Sequence, residues 1–248
     1  MREKVNKDGF AFSDAYFKMD ADITLPDGWK PIGATKDGRV NLQKGANLNA
    51  FSGIFDGAGH TITVPEGGLP LFGYVRNTRI RNLNIYGKKI AGYGLVNNFE
   101  GVGLSGSAVE IDNVTLKSGS STLKSGLLGA NKTVNGYAGC SAAFVATITN
   151  CTIEKGVVIG YDKKQSQIGA IAGRRQGTIK NCVSYADVYG TDYVGGIIGT
   201  RDNAMGTCEV IGRTARVAWR PALRRRSRWW TRACWRLWVA RDASRPSR

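Results

Sequence analysis

Short hydrophobic stretches that alternate with polar residues recur along the chain, and each contains Ile-x-Asn followed by an apolar residue. Alternation with a period of two places successive side chains on opposite faces, as in a β-strand. The asparagine interrupts the alternation and fits a bend, because its side chain hydrogen-bonds nearby backbone and tolerates an unusual dihedral angle. The four copies occupy residues 80–83, 111–114, 148–151 and 179–182. The first and the last spacing between them are equal, and the middle spacing is longer.

A second pattern places apolar residues between glycines. It recurs at 126–129, 169–173 and 195–199, and the last two copies start 26 residues apart. A period of this size is typical of a solenoid, in which each unit buries its apolar face only against its neighbours. We therefore predict an all-β fold, a right-handed parallel β-helix, with the handedness that parallel crossovers follow. The repeated apolar positions that should be buried are Ile171, Ile179, Cys182 and Ile197.

Parallel stacking brings equivalent residues of successive repeats about 4.8 Å apart. The asparagines then form a ladder in which each side-chain amide donates to the carbonyl of the next. Three cysteines occupy positions that match in the repeat pattern, which predicts a second ladder of small buried side chains. A disulfide between adjacent repeats is the alternative. The predicted ladder residues are Asn82, Asn113, Asn150, Asn181, Cys151, Cys182 and Cys208.

The patterns divide the chain into two parts. Residues 1–212 form the predicted repeat domain, in which 1–64 are an N-terminal region and 65–212 hold the coils. The longer middle spacing, between Ile111 and Ile148, predicts a protruding loop at 130–142. Residues 213–248 contain neither pattern.

The C-terminal tail, residues 213–248, has an unusual composition, with 12 Arg and five of the six Trp. Codons for Gly, Ala and Val give Arg, Trp, Ser and Cys when they are read one base out of frame. We therefore interpret the tail as an out-of-frame translation of a Gly-, Ala- and Val-rich region. At most a marginal, Arg-covered helix is expected, with one side formed by Trp219, Leu223, Trp230 and Leu237.

The positive charge of the chain is concentrated in this tail. The formal net charge is +16, of which residues 213–248 carry +11 and residues 1–212 only +5. The repeat domain is therefore only mildly basic and is not predicted to bind nucleic acid specifically. Binding of a membrane or nucleic acid through the cationic tail remains an alternative.

Other composition signals exclude several classes of site. No apolar run approaches the roughly 18 residues of a transmembrane helix, and the first residues do not form a signal peptide. The chain has one His and no C-x-x-C pair, so the ligand spacing of a zinc site is missing, and neither metal nor cofactor is expected. Residues 101–106 match G-x-G-x-x-G without the strand and helix that dinucleotide binding requires.

Few residues are candidates for catalysis. Asp56 and His60 form a possible acid–base pair, but the glycines around them favour a structural corner. A polysaccharide lyase or hydrolase needs several carboxylates on one face. The available carboxylates, Asp112, Glu154 and Asp187, do not share one repeat phase, which favours a solvated surface.

An ordered set of short motifs resembles a known family. Trp29-Lys-Pro-Ile-Gly33 is followed by Phe51-x-Gly-x-Phe-Asp-Gly-x-Gly-His-Thr-Ile62, then Leu71-Phe-Gly73, then Ile80-x-Asn-Leu83. Together with the later copies of the glycine pattern, these motifs in this order make residues 10–212 resemble bacterial surface proteins that carry GLUG repeats. Those proteins belong to the pectin-lyase-like superfamily. The resemblance implies a repetitive scaffold, display outside the cell or on the cell wall, and adhesion. It implies no active site.

These observations lead to one functional expectation and two alternatives. We expect a fragment of a secreted or cell-surface β-helical protein, acting as an adhesin or structural stalk without catalysis of its own. Its partner would be a host surface protein or a carbohydrate, and the uncapped C-terminal coil should favour self-association. The alternatives are a polysaccharide lyase or hydrolase of the same fold, and a binder that works through the cationic tail.

Overall fold

The computed structural model describes residues 1–8, 12–13, 15–33, 49–100, 108–131, 145–175, 177–201 and 208–211. Several predictions fall outside this part of the chain. They are the tail with its marginal helix, the G-x-G-x-x-G stretch, and all of the expected loop beyond residue 131. Within the described residues, no helix has the length and apolar character needed to cross a membrane.

The described residues form many short β-strands and one short helix, which confirms the all-β prediction. The helix is α1, Arg2–Asp8. The strands are β1 Tyr16–Lys18, β2 Ile23–Thr24, β3 Ile54–Asp56, β4 Thr61–Val64, β5 Phe72–Arg76, β6 Arg79–Gly87, β7 Val96–Glu100, β8 Ala108–Leu116, β9 Ser121–Thr122, β10 Leu128–Asn131, β11 Val145–Thr149, β12 Thr152–Ile153, β13 Val158–Ile159, β14 Ile168–Gly169, β15 Ala172–Arg175, β16 Gly177–Lys180, β17 Val183–Ser184, β18 Asp187–Val188, β19 Val194–Gly195, β20 Ile198–Arg201 and β21 Cys208–Ile211.

These strands pair in parallel between one repeat and the next. The largest sheet contains the order β1-β3-β6-β8-β11-β16-β21, and a second sheet has the order β20-β15-β10-β7-β5. Two smaller sheets have the orders β18-β13-β9 and β14-β19. Each of these sheets therefore collects strands from several repeats.

The Ile-x-Asn pattern forms a bent strand. In β6, Ile80, Leu83 and Ile85 are buried, and Asn82 between them has a φ of 52°. The asparagine changes the phase of the alternation, so both halves of the strand direct apolar side chains into the core. Ile80 is aligned with Ile111, Ile111 with Ile148, and Ile148 with Ile179.

The core is a stack of these aligned apolar side chains. The four isoleucines of the pattern are all 0–1% exposed. A parallel row consists of Ile85, Leu116 and Ile153, which are also buried. The four positions expected from the sequence to be buried, Ile171, Ile179, Cys182 and Ile197, are buried, the last of them with 9% exposure.

An N-terminal helix that the sequence analysis did not predict packs on this core. Val5 of α1 is fully buried, and Asn6 accepts a hydrogen bond from the backbone N–H of Gly33 at 2.8 Å. The Asn6 Nδ2 group donates to the backbone carbonyl of Pro31 at 3.0 Å. The helix therefore ties the first residues to the end of the stack.

The structure corrects two sequence predictions. Cys208 is aligned with Gly177 rather than with Cys182, so it does not extend the cysteine ladder. Paired residues of β15 and β20 are separated along the chain by the period of the glycine pattern. Paired residues of β16 and β21 are separated by more residues. The connection from β20 to β21 is longer than that from β15 to β16, which accounts for the difference. The loop expected at 130–142 cannot start at 130, because β10 continues to Asn131.

Candidate functional site

The four asparagines lie at equivalent corners of successive repeats. Their φ angles are 52°, 51°, 54° and 54° for Asn82, Asn113, Asn150 and Asn181. This left-handed conformation costs most residues energy, but Asn tolerates it because its short side chain bonds locally. The corner is therefore formed by the same residue for the same reason in each repeat.

The asparagine side chains form two pairs, not the continuous ladder expected. Asn113 Nδ2 donates to Asn82 Oδ1 at 2.9 Å, and Asn181 Nδ2 donates to Asn150 Oδ1 at 3.4 Å. Between the pairs, Asn150 Nδ2 donates instead to Asp112 Oδ1 at 2.7 Å. A carboxylate is the stronger acceptor, which accounts for the interruption.

Asp56 lies beside Asn82 of the first asparagine pair. It accepts more hydrogen bonds than the other carboxylate at these corners, Asp112. Its Oδ1 accepts from the Ala58 backbone N–H at 2.9 Å and from Asn82 Nδ2 at 3.1 Å. Its Oδ2 accepts from the Tyr16 hydroxyl and from Arg81 Nε, both at 2.9 Å. Burial alone would raise the pKa of Asp56, but these hydrogen bonds outweigh it and lower the pKa to about 2.

Charged side chains alternate along the outward face beside the asparagine corner. The strand register aligns Lys18 with Asp56, Asp56 with Arg81, and Arg81 with Asp112. In the neighbouring row, Arg79 Nε contacts Glu110 Oε2 at 2.5 Å. Opposite charges on adjacent strands stabilise a sheet, so this face is largely neutralised by its own residues.

The alternative of an acid–base pair, which the sequence analysis weighed against a structural corner, is not formed between Asp56 and His60. Asp56 is engaged by the donors described above, and His60 contacts a different carboxylate, with Nδ1 3.1 Å from Asp22 Oδ1. Asp22 also accepts from the backbone N–H of Thr61 at 2.9 Å. The pKa of Asp22 is lowered, first by this backbone hydrogen bond and then by His60.

The other three candidate carboxylates do not converge. Asp112 lies near the middle of β8 and accepts a hydrogen bond from the Thr149 hydroxyl at 2.5 Å. Glu154 contacts Lys117 Nζ at 2.5 Å and accepts from the Ser118 backbone N–H at 2.8 Å. Burial acts to raise the pKa of Glu154, and its bonds to Lys117 and Ser118 lower it overall. Asp187 belongs to another sheet, with β9 and β13.

In the part of the chain that the structure describes, no group of three or more His, Cys, Asp or Glu side chains is arranged to hold a metal. An open depression lies instead on the outer side of the strands that follow the asparagine corner. The half-buried ring of Tyr86 lies in it, beside the ion pair of Lys117 and Glu154. The full lining is Asp22, Thr61, Thr63, Tyr86, Lys117, Ser118 and Glu154.

This depression offers hydroxyl groups, one aromatic ring, the ion pair of Lys117 and Glu154, and the carboxylate of Asp22. Sequence reasoning missed it, and it missed Tyr16 and Arg81 as partners of Asp56. The alternation along 61–64 and 84–86 does place Thr63 and Tyr86 on the outer face, and strand register aligns these two residues. The sequence alone does not show that these two residues are neighbours, because the number of residues between them is not a spacing that recurs along the chain. Their contact follows only from the strand register.

No protein-family model matches the chain, and no curated protein matches it. The structure is similar to the 1.30 Å crystal structure of a protein from Bacteroides ovatus described as a putative immunoglobulin A1 protease, with a TM-score of 0.53 and 19% sequence identity. The match covers 84% of this chain and 62% of that protein, so this chain spans less than two thirds of its length. At this identity, the likeness shows a common fold alone.

Proposed function

We propose that residues 1–212 form a right-handed parallel β-helix that serves a secreted or wall-attached surface protein as an adhesin or stalk. The proposed fold is supported by the pairing of the strands. The consecutive strands β12, β13, β14 and β15 belong to four different sheets, and β16 returns to the first. A chain that visits the sheets in this order, with every pair parallel, winds as a coil of strands. Right-handedness follows the general preference of parallel crossovers.

The absence of catalysis is proposed from the use of the charged side chains. Asp56, Asp112 and Glu154 each accept hydrogen bonds from neighbouring side chains of the protein. A general acid or base must instead reach a proton of the substrate. Paired in this way, the carboxylates stabilise the stack of repeats, which is what a stalk or display scaffold requires. This pairing is the observation that carries the proposal.

A carbohydrate is the ligand that the depression around Tyr86 favours. Sugar rings present an apolar face that packs on an aromatic ring, and their hydroxyls both donate and accept hydrogen bonds. Thr61 and Thr63 offer hydroxyls near Tyr86, Lys117 and Glu154 add a donor and an acceptor, and Asp22 adds a further carboxylate. The depression therefore suits a hydroxyl-rich ligand without negative charge, such as a neutral sugar.

Binding and turnover measured on the same samples test this proposal. The full chain is incubated with a panel of neutral polysaccharides and host surface glycoproteins, and we expect binding without release of fragments. Tyr86→Ala should weaken glycan binding on the order of tenfold, the size expected for loss of one aromatic contact. Tyr193, which is 66% exposed and lies outside the depression, provides the matched control Tyr193→Ala.

Three results would contradict the proposal. Release of shortened chains from a polysaccharide, lost in Glu154→Gln, would favour the lyase or hydrolase alternative. Equal weakening by both tyrosine variants would show that the depression is not the binding site. Immunoglobulin A1 is included in the panel because the Bacteroides ovatus protein is described as a protease of immunoglobulin A1. Cleavage of immunoglobulin A1 would show that the protein is a protease and would contradict the proposal of a scaffold without catalysis.

A further inference from the structure

Two buried cysteines lie side by side on adjacent repeats. Thr149 is aligned with Lys180 and Thr152 with Val183, so the register sets Cys151 opposite Cys182. Neither forms a disulfide in the structure, and their exposures are 0% and 3%. The Cys151 thiol interacts with that of Cys182 as well as with backbone carbonyls, and neither is part of the outward sites described above.

The spacing of parallel strands brings these cysteines within reach of a covalent bond. Neighbouring strands are about 4.8 Å apart, and disulfides join residues whose Cα atoms are roughly 4.4–6.8 Å apart. Both side chains point into the core, because both are buried. Cys208 is not part of this arrangement, since it is aligned with Gly177.

We propose that Cys151 and Cys182 are the site of a disulfide that joins two adjacent repeats when the protein folds in the presence of a small-molecule disulfide. The inference depends on the strand register and does not depend on the proposed adhesin function. One thiolate attacks the oxidant and forms a mixed disulfide, releasing one reduced thiol. The second cysteine then attacks the protein sulfur of that mixed disulfide and releases the other. Two protein thiols lose two protons and two electrons, and the oxidant is reduced to two thiols.

Burial determines when this bond forms. Removal from water raises the pKa of the Cys151 thiol, so the reactive thiolate is scarce in the folded chain. The oxidant also cannot reach thiols that are almost fully buried. Closure therefore takes place while the two repeats assemble or open, and the finished bond is protected from reductants. Because it closes a loop one whole repeat long, the bond restricts the unfolded chain.

Refolding under two redox conditions tests the proposal on the full chain. Denatured, reduced protein is refolded either with a mixture of oxidised and reduced glutathione or with excess reductant. Peptide mapping without reduction should link Cys151 to Cys182 in the first sample only. The Tm of the linked protein should be higher on the order of 5–10 °C, and this increase should vanish after reduction in denaturant.

Substitutions separate a specific bond from general thiol oxidation. Cys151→Val is a suitable variant because Val114 occupies the equivalent position one repeat earlier. It should fold and lose the redox-dependent difference in Tm, whereas a variant with Cys140, Cys208 and Cys234 replaced by Ser should keep it. Native-like protein refolded with glutathione that still contains two free thiols at Cys151 and Cys182 would overturn the proposal. Links of either residue to another cysteine, or an oxidised protein with a lower Tm, would overturn it as well.

Discussion

At the asparagine corners, the backbone conformation and the hydrogen bonds of the side chain select the same residue. All four asparagines have φ angles between 51° and 54°, where a branched or bulky side chain is strained. Their amides also connect adjacent repeats or reach an aspartate. A substitution can therefore remove the hydrogen bonds, the conformational preference, or both.

Replacement of Asn150 by Leu should lower the free energy of unfolding by about 1–3 kcal/mol, because it removes two hydrogen bonds and strains the left-handed backbone. Asn150→Gly is the matched control, since glycine adopts this conformation without strain but makes no side-chain bond. Urea denaturation should rank the proteins wild type, Gly, then Leu in decreasing stability. Equal stability of the two variants would mean that the conformation of the corner contributes nothing.

Asp56 should make stability depend on pH in the acid range. Its pKa is lowered to about 2 in the folded protein, below the value of about 3.9 for an unfolded aspartate. The contribution is thus complete above pH 4 and is lost as pH falls toward 2. Asp56→Asn should flatten the acid side of the stability profile and cost about 1–3 kcal/mol at neutral pH, because Arg81 and Tyr16 lose a charged acceptor.

Glu66 provides the control for this titration. Like Asp56 it has a cationic partner, Lys89 at 2.8 Å, but unlike Asp56 it is exposed. Exposed ion pairs contribute little, so Glu66→Gln should leave the profile almost unchanged. Equilibrium unfolding between pH 2 and 7 gives both curves. An acid dependence that is identical in wild type and Asp56→Asn would contradict the role assigned to Asp56.

At this scale, sequence predicted the equivalence of the asparagines but not their partners. The equivalence is visible because each asparagine lies in the same hydrophobic pattern. Asp56 and Asp112 are acceptors only because strands from different repeats align, and Asp56 lies outside any Ile-x-Asn copy. The alternative pairing of Asp56 with His60 rested only on their proximity in sequence, whereas contacts across a sheet are set by register.

At the scale of single elements, several glycines, inside and outside the repeated glycine pattern, allow strands and corners of successive repeats to approach closely. A Cβ atom added to Gly94 would lie 2.0 Å from the carbonyl oxygen of Gly126, and one added to Gly126 would lie 1.9 Å from that of Ala170. Such distances are far below van der Waals contact and involve backbone, which cannot move aside alone. These glycines are needed for space.

Gly126→Ala should therefore destabilise the protein by about 4 kcal/mol or more, at the upper end of single substitutions. Gly67→Ala is an informative control, because Gly67 has open space around its Cα and a φ of 73°. Its replacement strains only the local backbone and should cost about 1–2 kcal/mol. Thermal melts of both variants check the difference. A similar loss in both would show that crowding at Gly126 is relieved by a shift between repeats.

The two periods in the sequence explain what was predicted correctly and what was not. The glycine patterns that start at 169 and 195 are aligned, as their spacing requires. Cys208 was assigned by applying that spacing to a different sheet, where its partner is Gly177 and the offset is larger. Connections between sheets vary in length from repeat to repeat, so a period measured in one sheet does not transfer to the next.

At the scale of the whole molecule, parallel strands pair from one repeat to the next, and α1 packs on the core near the N-terminus. The helix was not predicted because its seven residues contain only one apolar side chain, Val5, and therefore show no amphipathic period. Its position depends on contacts of Asn6 with residues 31, 33 and 49, which lie far away in sequence. Parallel pairing and the buried rows, in contrast, repeat often enough to be read from the sequence.

The last prediction concerns the C-terminal end of the stack and residues 213–248. Among the described strands, β20 and β21 each have a partner on one side only, and unpaired strand edges promote association. The tail contains neither repeated pattern and is predicted not to continue the sheets. A protein that ends at Gly212 should therefore keep the β-type circular dichroism of the full chain and still associate in light scattering.

The same pair of proteins also tests the alternatives for the tail. If the tail binds anionic membranes or nucleic acid, only the full chain should bind them, and the affinity should fall steeply as salt is raised, because the contact is made by arginines. Retention of the β signal after truncation would agree with a tail that is not part of the repeat fold. If truncation abolishes the β signal, residues 213–248 complete the stack as a structural cap, and their interpretation as an out-of-frame translation is wrong.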